Sequence, residues 1–328
     1  MKKLLSLLIL LLSHSAHSSL PEYTLNDRLD YFALGSCNRQ SDKQWAWPIA
    51  EQRNPDLWLW LGDNIYGDSD DKAVMKEKYD QLSNNPGYKS FRKNVPVIGI
   101  WDDHDYGLND GGKDFHAKEQ NRLLFLDFIG EEKSSKRWKQ KGIYTTYKVG
   151  PEGQQVRFIL LDTRYHLEKY GDEADILGET QWEWLEEILK TSEAQIHFIA
   201  SGISVLTAKK KAKETWQKSP KAFRRLHSLL QKYNTPGVFF LVGDRHLSTA
   251  YQKERHGILY TEIMASGMTH NKSGIGKSIA RSYYGKKNSL FHNNFGEIRI
   301  HWEKPIQIEF GAYSRKAQEL RINRKFRL

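Results

Sequence analysis

Short apolar segments alternate with amphipathic helical segments along most of this chain, and this alternation limits the fold more than any other feature. Apolar segments at 30–37, 56–63, 95–103 and 237–246 have the character of buried strands. Each of the first two segments is followed within a few residues by apolar residues at helical spacing. Strands that alternate with helices pack as sheets covered by helices. The sequence therefore predicts the α/β class, with two packed mixed sheets and outer helices.

The other segments complete this prediction. Helices are expected over 42–53, 70–82, 115–128, 178–190 and 220–231, and a β-hairpin is expected to end near residue 164. The last hundred residues are rich in strand-like segments, whereas residues 315–328 are basic and lack a clear core pattern. We expect residues 19–328 to form a single domain with a basic C-terminal tail. The alternative is a division into two domains.

The N-terminal segment has the features of a secretory signal peptide. Lys2 and Lys3 precede an apolar stretch at 4–12 that is too short to span a bilayer, and small polar residues follow. Residues 1–18 are therefore predicted to be a Sec-type signal that directs the chain to a secreted or periplasmic location. The alternative is an uncleaved membrane anchor. No cysteine follows the apolar stretch and no Arg-Arg pair precedes it, which argues against a lipoprotein and a twin-arginine signal.

Charge and cysteine content narrow the class of partner. The 328 residues include 50 Lys and Arg against 40 Asp and Glu, a net charge of +10 that favours polyanionic partners. The hydrophobic fraction of 39% and the charged fraction of 27% exclude a disordered, collagen-like or multi-span membrane protein. Cys37 is the only cysteine, so the chain cannot form an internal disulfide. Nothing implies a protein partner, and we expect a monomer.

Polar side chains gather where the predicted strands end. In α/β sheets, ligands bind beyond the carboxyl ends of the strands. A thiol, several carboxylates, a phenol and imidazoles at one such edge form a metal-ligand set. The sequence therefore predicts a metal site at this edge. The candidates are Cys37, Asp63, Tyr66, Asp102, Asp103, His104, Asp105, Asp244 and His246.

Each of these residues also has an ordinary structural interpretation. A carboxylate after glycine, such as Asp63, is often a turn or helix-cap residue, and an isolated cysteine is most often buried in the core. The aspartate cluster around His104 is harder to explain in this way, because several close carboxylates are costly without a cation. A lone thiol in an exported protein is oxidised unless it is buried or metal-bound. The polar strand end around Cys37 favours a ligand.

Six motifs in fixed order resemble one known family. They are GSC, LGDNIYGD, WDDHDYG, LLDTRYH, VGDRHL and SGMTH. Their order and spacing are similar to those of the alkaline phosphatase D (PhoD-like) metallophosphatases, which are related to the calcineurin-like and purple acid phosphatases. The resemblance covers about residues 31–302. It implies a four-layer α-β-β-α metallophosphoesterase sandwich with a multinuclear site of ferric iron and calcium, with zinc or manganese as the alternative metals.

The resemblance also implies roles for individual metal ligands. Cys37 matches the thiolate that binds iron, and Tyr66 matches the phenolate on iron. Asp63 matches the carboxylate that bridges two metals. His246 matches a further ligand of iron, and Asp244 matches a ligand of the second metal.

The WDDHD motif leaves one ligand open. Asp103 lies where the wider superfamily has a metal-binding asparagine, but Asp102 is the alternative. His104 lies where that superfamily has a histidine over the substrate, which implies a catalytic residue. Asn109 and Asp110 are further candidates, Asn109 as a substrate contact. Residues 201–204 offer no histidine where the superfamily often has one more ligand, and this departure favours a harder cation such as calcium at the second position.

Three arginines of the motifs are candidate phosphate contacts. Arg164 is assigned to catalysis as the favoured contact, with Arg39 and Arg245 as substrate-binding residues. The resemblance implies a metal-dependent phosphoric ester hydrolase, either a phosphodiesterase or a phosphomonoesterase, acting on a small phosphate ester or a polyanionic envelope polymer. The alternatives are an extracellular nuclease or phospholipase with the same metals, or a non-catalytic polyanion-binding protein with structural metals.

Overall fold

The structure is a computed structural model, and it describes residues 22–25, 27–206, 214–255, 258–271, 289–317 and 319–328. The signal peptide predicted over residues 1–18 lies outside these residues. Within them, no helix is both long enough and apolar enough to cross a membrane. The α-helices are α1 (Ala46–Arg53), α2 (Lys72–Ser83), α3 (Pro86–Asn94), α4 (Asp103–Tyr106), α5 (Lys118–Ile129), α6 (Glu179–Thr191) and α7 (Pro220–Lys232).

The strands form two sheets. The first half of the chain supplies β1 (Glu22–Leu25), β2 (Tyr31–Gly35), β3 (Trp58–Leu61), β4 (Val97–Ile100), β5 (Thr145–Val149) and β6 (Val156–Leu160). The second half supplies β7 (Ile196–Ser201), β8 (Val238–Val242), β9 (Ser248–Arg255), β10 (Ile258–Ala265), β11 (Ser289–Leu290), β12 (Asn294–His301), β13 (Gln307–Ser314) and β14 (Glu319–Arg327).

Both sheets are mixed, and each contains a block of parallel strands. The six-stranded sheet has the order β14-β13-β12-β2-β3-β4, in which β2, β3 and β4 are parallel. The eight-stranded sheet has the order β1-β5-β6-β7-β8-β10-β9-β11, in which β6, β7, β8 and β10 are parallel. Parallel strands end at the same edge, so each sheet collects several strand ends on one side.

The apolar core lies in two layers. One cluster of buried side chains joins the two sheets to each other and to the first helices, and it includes Phe32, Trp58, Phe198 and Phe239. The other cluster lies between the eight-stranded sheet and helices α6 and α7, where Trp182 is fully buried. Helix on sheet on sheet on helix is the predicted four-layer α/β sandwich, and the prediction is confirmed.

Helix α3 and strand β14 are among the elements that the sequence did not predict. Helix α3 begins at a proline, and the Asn85 side chain caps it by accepting hydrogen bonds from the backbone N–H groups of Gly87 and Tyr88. The basic segment at the C-terminus forms β14, which pairs antiparallel with β13 at the sheet edge. Phe326 in this strand is buried, with its ring 5.9 Å from that of Phe239 in the other sheet. The segment is thus part of the core and not only a tail.

Candidate metal centre

The loops that follow the strands of the two sheets come together at the candidate site. Residues that follow β2, β3 and β4 come from one sheet, and residues that follow β8 and β10 come from the other. Backbone hydrogen bonds join the two groups of loops, because the N–H groups of Gly267 and Met268 both donate to the carbonyl of Ser36. The N–H of Thr269 donates to the carbonyl of Cys37. The strand ends therefore form one continuous edge.

Four of the predicted ligands have a left-handed backbone. The φ angles are 56° at Cys37, 50° at Asp63, 65° at Asp244 and 56° at His246. Non-glycine residues adopt this region at a cost, and such residues cluster at functional sites where the surrounding structure holds them. Cys37, Asp63 and Asp244 each lie two residues after the end of a strand, and His246 lies in the loop between β8 and β9.

Cys37, Asp63 and His246 form the first group of candidate ligands. One ligand atom from each lies within 4.8 Å of the others. The Cys37 Sγ is 3.4 Å from Asp63 Oδ2 and 3.0 Å from Ser266 Oγ. Burial raises the pKa of the Cys37 thiol to about 11, and the charge of Asp244 adds to this effect. The thiol is therefore protonated at neutral pH unless a cation displaces its proton.

Tyr66 and His270 lie beside this group. The Tyr66 hydroxyl is 2.8 Å from His270 Nε2 and 3.3 Å from His246 Nε2, and the two Nε2 atoms are 3.1 Å apart. His270 belongs to the SGMTH motif, which was the available signal, yet sequence reasoning assigned it no role. Burial lowers its pKa to about 4, so the imidazole is neutral at neutral pH.

A second group shares Asp63 with the first. Ligand atoms of Asp63, Asp103 and His104 lie within 4.8 Å of one another. His104 Nδ1 is 2.7 Å from Asp68 Oδ1, and its ring stacks on that of Tyr66 at 4.0 Å. Burial alone would lower the pKa of His104, but the bond to Asp68 and the charge of Asp103 together raise it. His104 is thus held in a fixed orientation by a carboxylate outside the group.

The neighbouring aspartates of this motif have different contacts. Asp105 accepts hydrogen bonds from the backbone N–H groups of Asn64 and Asp102, so it ties the loops after β3 and β4 together. Asp102 accepts a hydrogen bond from Arg164 Nε at 2.6 Å. Only Asp103 joins a ligand group among the described residues, which favours Asp103 over Asp102 as the ligand.

Asp103 also belongs to a third group, with Asp110 and Glu214. Its Oδ2 accepts a hydrogen bond from the Asp110 backbone N–H at 2.8 Å, and its Oδ1 accepts one from the His104 N–H at 3.0 Å. Burial raises the pKa of Glu214 to about 7, although the nearby guanidinium of Arg164 opposes the rise. Sequence reasoning did not identify Glu214, which lies outside the six motifs.

The predicted phosphate contacts lie in different surroundings. Arg164 is fully buried and paired with carboxylates, so this placement gives no support to direct phosphate contact. Arg39 is exposed, with its guanidinium 5.2 Å from the centre of the Tyr66 ring. Arg245 lies next to the site, with Nε 3.5 Å from Asp244 Oδ2. Asn109 is exposed on the loop after α4.

A cleft of about 720 Å³ opens beside the second and third groups. In the described part of the chain, its lining holds Asp68, Asp110 and Glu214 from the site, together with the aromatic rings of Phe115 and Tyr170. A cleft of this volume is ample for the organic part of a small ester.

The donor set suits metal ions. Asp63 is almost completely buried, and its Oδ1 has no hydrogen-bond partner among the described residues. A buried carboxylate oxygen without a partner is costly unless a cation neutralises it. Cys37 and His246 offer softer sulfur and nitrogen donors, whereas Tyr66, Asp63 and Asp103 offer hard oxygen donors. Asp63 lies in both groups.

This fold and this donor set are those of a metal-dependent phosphoesterase. The sequence model of the family described as PhoD-like phosphatase matches residues 32–306, and the chain belongs to that family. Comparison with the curated proteins gives no significant match.

Solved structures agree with the fold. A structure described as that of PhoD has a TM-score of 0.70 at 15% identity, over 94% of this chain and 73% of that one. A purple acid phosphatase from yellow lupin (Lupinus luteus) seeds has a TM-score of 0.61 at 12% identity, and the match covers 93% of this chain and 55% of that one. A dimetal phosphatase from Danio rerio has a TM-score of 0.57 at 12% identity, and the match covers 92% of this chain and 99% of that one. At these identities the likeness concerns the fold alone.

Proposed function

We propose that the protein is an exported phosphodiesterase that uses ferric iron and calcium. The observation that carries this proposal is the pair of ligand groups that share Asp63, whose buried Oδ1 has no hydrogen-bond partner within the part of the chain that the structure describes. The thiol of Cys37 and the phenol of Tyr66 favour iron in the first group. The oxygen donors Asp63 and Asp103 favour calcium in the second group, with Asp244 as a further ligand nearby. Export is inferred from residues 1–18 alone.

The cations near the site favour a diester. A diester carries one negative charge fewer than a monoester and needs a weaker cationic clamp. Arg164 is committed to Asp102 and Glu214, which leaves Arg39 and Arg245 as candidate contacts for phosphate oxygens. The substrate is then a small phosphate diester or one linkage of an envelope polymer, with nucleic acid and phospholipid as the alternatives.

Metal ions bound here would supply Lewis acidity that offsets phosphate charge and makes water a better nucleophile at neutral pH. The residues of the chain would position the ligands and supply a proton. Asp63 and Asp103 hold the ligand groups at a fixed separation, and Asp68 orients His104 through Nδ1. Because Asp68 and Asp103 raise the pKa of His104, the imidazolium is available to donate a proton to the departing alkoxide.

The test combines metal content with hydrolysis of two chromogenic esters. The purified mature protein is expected to contain iron and calcium in near-integer amounts per chain. It is expected to hydrolyse bis(4-nitrophenyl) phosphate faster than 4-nitrophenyl phosphate. For a diester with an alkyl leaving group, His104→Ala should lower kcat about 10²- to 10⁴-fold while metal content is retained, because an alkoxide needs a proton as it departs. The loss should be much smaller with bis(4-nitrophenyl) phosphate, since 4-nitrophenolate departs without a proton. His301→Ala is the matched control, since His301 pairs with Glu309 in the C-terminal hairpin of β12 and β13.

The other outcomes discriminate among the alternatives. Zinc or manganese alone would keep a phosphoesterase and contradict the iron site with its thiolate. Undiminished hydrolysis of the alkyl diester by His104→Ala would contradict a catalytic role for His104. A protein that binds no metal after reconstitution and hydrolyses neither ester would be the polyanion-binding protein.

A further inference from the structure

Several buried carboxylates lie around Asp103, and the two metal-ligand groups do not account for how all of their negative charges are balanced. Asp102, Asp103 and Glu214 are all buried, with exposed fractions of 0%, 4% and 4%. Burying several carboxylates together is unfavourable unless a cation lies among them. By distance alone, Asp103, Asp110 and Glu214 could hold an ion of their own.

Arg164 already lies among these carboxylates. Its side chain is fully buried, with Nε 2.6 Å from Asp102 Oδ1 and Nη1 2.6 Å from Glu214 Oε1. Its Nη2 is 3.8 Å from Asp103 Oδ1, and Nη1 also lies 3.4 Å from the carbonyl oxygen of Gly111. A guanidinium stays charged in proteins and offers donors in a fixed fork, which suits several carboxylates at once.

The backbone holds this arginine in place. The Asp162 side chain accepts hydrogen bonds from the backbone N–H groups of Arg164 and Tyr165 and from the indole N–H of Trp101. Trp101 comes directly before Asp102, so one carboxylate fixes both the arginine and the loop that carries its partners. The LLDTRYH motif thus builds a rigid support beside the site.

We propose that the Arg164 guanidinium is the permanent cation of the third carboxylate group, and that it positions the metal ligand Asp103. This inference rests on the proposed function. A second divalent ion at Asp110 and Glu214 would face the buried guanidinium, and Glu214 Oε1 already accepts its hydrogen bond. Arg164 is therefore a positioning residue that acts through Asp103, not a contact for the substrate.

The first test counts ions per chain by elemental analysis after dialysis against calcium. Glu214→Gln is expected to keep the ion count of the wild-type protein, because Glu214 pairs with Arg164 and binds no metal. Loss of one ion per chain in Glu214→Gln would show that the third group holds a metal, and it would overturn this proposal while leaving the phosphodiesterase proposal intact. A wild-type protein without any bound metal would instead overturn the proposed function.

The second test removes the cation. Arg164→Gln leaves the buried carboxylates uncompensated, so it is expected to bind one additional calcium ion per chain and to be stabilised by calcium more than the wild type. A displaced Asp103 should lower kcat on the order of 10²-fold. Arg164→Lys, which keeps the charge, is expected to return the ion count to the wild-type value and to recover part of kcat.

A matched control separates this effect from general loss of stability. Arg137 is also fully buried, and it pairs with Glu131 away from the site. Arg137→Gln is expected to lower the melting temperature without any gain in calcium binding. If Arg164→Gln has the ion count and kcat of the wild type, Arg164 is neither the cation of the group nor a positioning residue.

Discussion

At the scale of single residues, Cys37 is the donor that distinguishes this site from one built of carboxylates and histidines alone. Its Sγ contacts Asp63 and Ser266 in a fully buried position, and its backbone is left-handed. A core cysteine would not need a strained turn that aims the thiol at a buried carboxylate. This geometry supports the proposed role of the thiol as a metal ligand.

We predict that Cys37→Ser keeps the fold but loses iron and most activity. Serine is close in size and can keep the hydrogen bonds to Asp63 and Ser266, whereas its hydroxyl is a poor substitute for a thiolate toward iron. Circular dichroism should show an unchanged fold, and elemental analysis should show the loss of iron. An iron content and activity equal to those of the wild type would show that Cys37 is a buried core residue and not a ligand.

The same scale shows how far the sequence predicts the site. Cys37 and Asp63 follow the parallel strands β2 and β3, so the sequence pattern alone predicts that they lie close together. His246 follows β8 of the other sheet, and it joins them only because the two sheets pack together. His270 reaches the site only because β10 pairs with β8, and that pairing has no local signal in the sequence. Arg164 was predicted to contact phosphate, but the structure shows it buried in an ion pair. The sequence could not predict this, because the partner Glu214 is fifty residues away.

At the scale of elements, the strand ends are packed so closely that glycine is required after β7. A Cβ atom on Gly202 would lie 2.4 Å from Asp102 Oδ1. We predict that Gly202→Ala displaces the Asp102 carboxylate from Arg164 and lowers kcat, whereas Gly171→Ala has no effect because its nearest neighbour would be 3.9 Å away. The measurement is kcat with bis(4-nitrophenyl) phosphate. Equal kcat in both variants would contradict this account of the strand ends.

Strand β7 also carries a buried histidine that makes stability depend on pH. His197 is fully buried, with Nδ1 2.8 Å from the carbonyl oxygen of Pro236 and Nε2 2.8 Å from Ser192 Oγ. Burial lowers its pKa from 6.5 to about 4. The unfolded chain therefore binds more protons between these values, and stability falls as pH drops from 6.5 towards 4.

We predict that this histidine costs the protein about 3 kcal/mol of unfolding free energy near pH 4, at 1.36 kcal/mol per pKa unit. His197→Gln cannot titrate in this range and should lose less stability on acidification. Urea unfolding of both proteins at pH 7 and pH 4.5 measures the difference. An equal loss in the variant would place the acid sensitivity in other groups.

Element prediction from the sequence succeeds where the pattern is local. Helix α7 was predicted over 220–231 and is observed at Pro220–Lys232, since its apolar face repeats with helical spacing. Helix α3 was missed because its start depends on a cap by Asn85 in a segment without a long apolar repeat. Strand β14 was missed because its basic composition conceals a buried side chain, Phe326, that joins it to the other sheet.

At the scale of the whole molecule, the total charge and the charge near the site have opposite signs. The chain carries a net charge of +10, which favours polyanions. In the described part of the chain, however, the cleft beside the site is lined by six carboxylate residues and only two lysines. The carboxylates are those of Asp68, Asp70, Asp110, Asp114, Glu168 and Glu214, and the lysines are Lys113 and Lys169. This lining repels a polyanion from the cleft.

We therefore predict that a small diester is a better substrate than a nucleic acid, and that its hydrolysis depends only weakly on salt. A protein that tracks a nucleic acid backbone through 6–10 phosphate contacts loses about 10³- to 10⁵-fold in affinity between 50 and 200 mM salt. For bis(4-nitrophenyl) phosphate, kcat/KM should change less than about threefold over that range, because one screened charge is involved. Salt titrations with this ester and with single-stranded DNA make the comparison. Efficient, steeply salt-dependent cleavage of internal DNA linkages would establish the nuclease alternative.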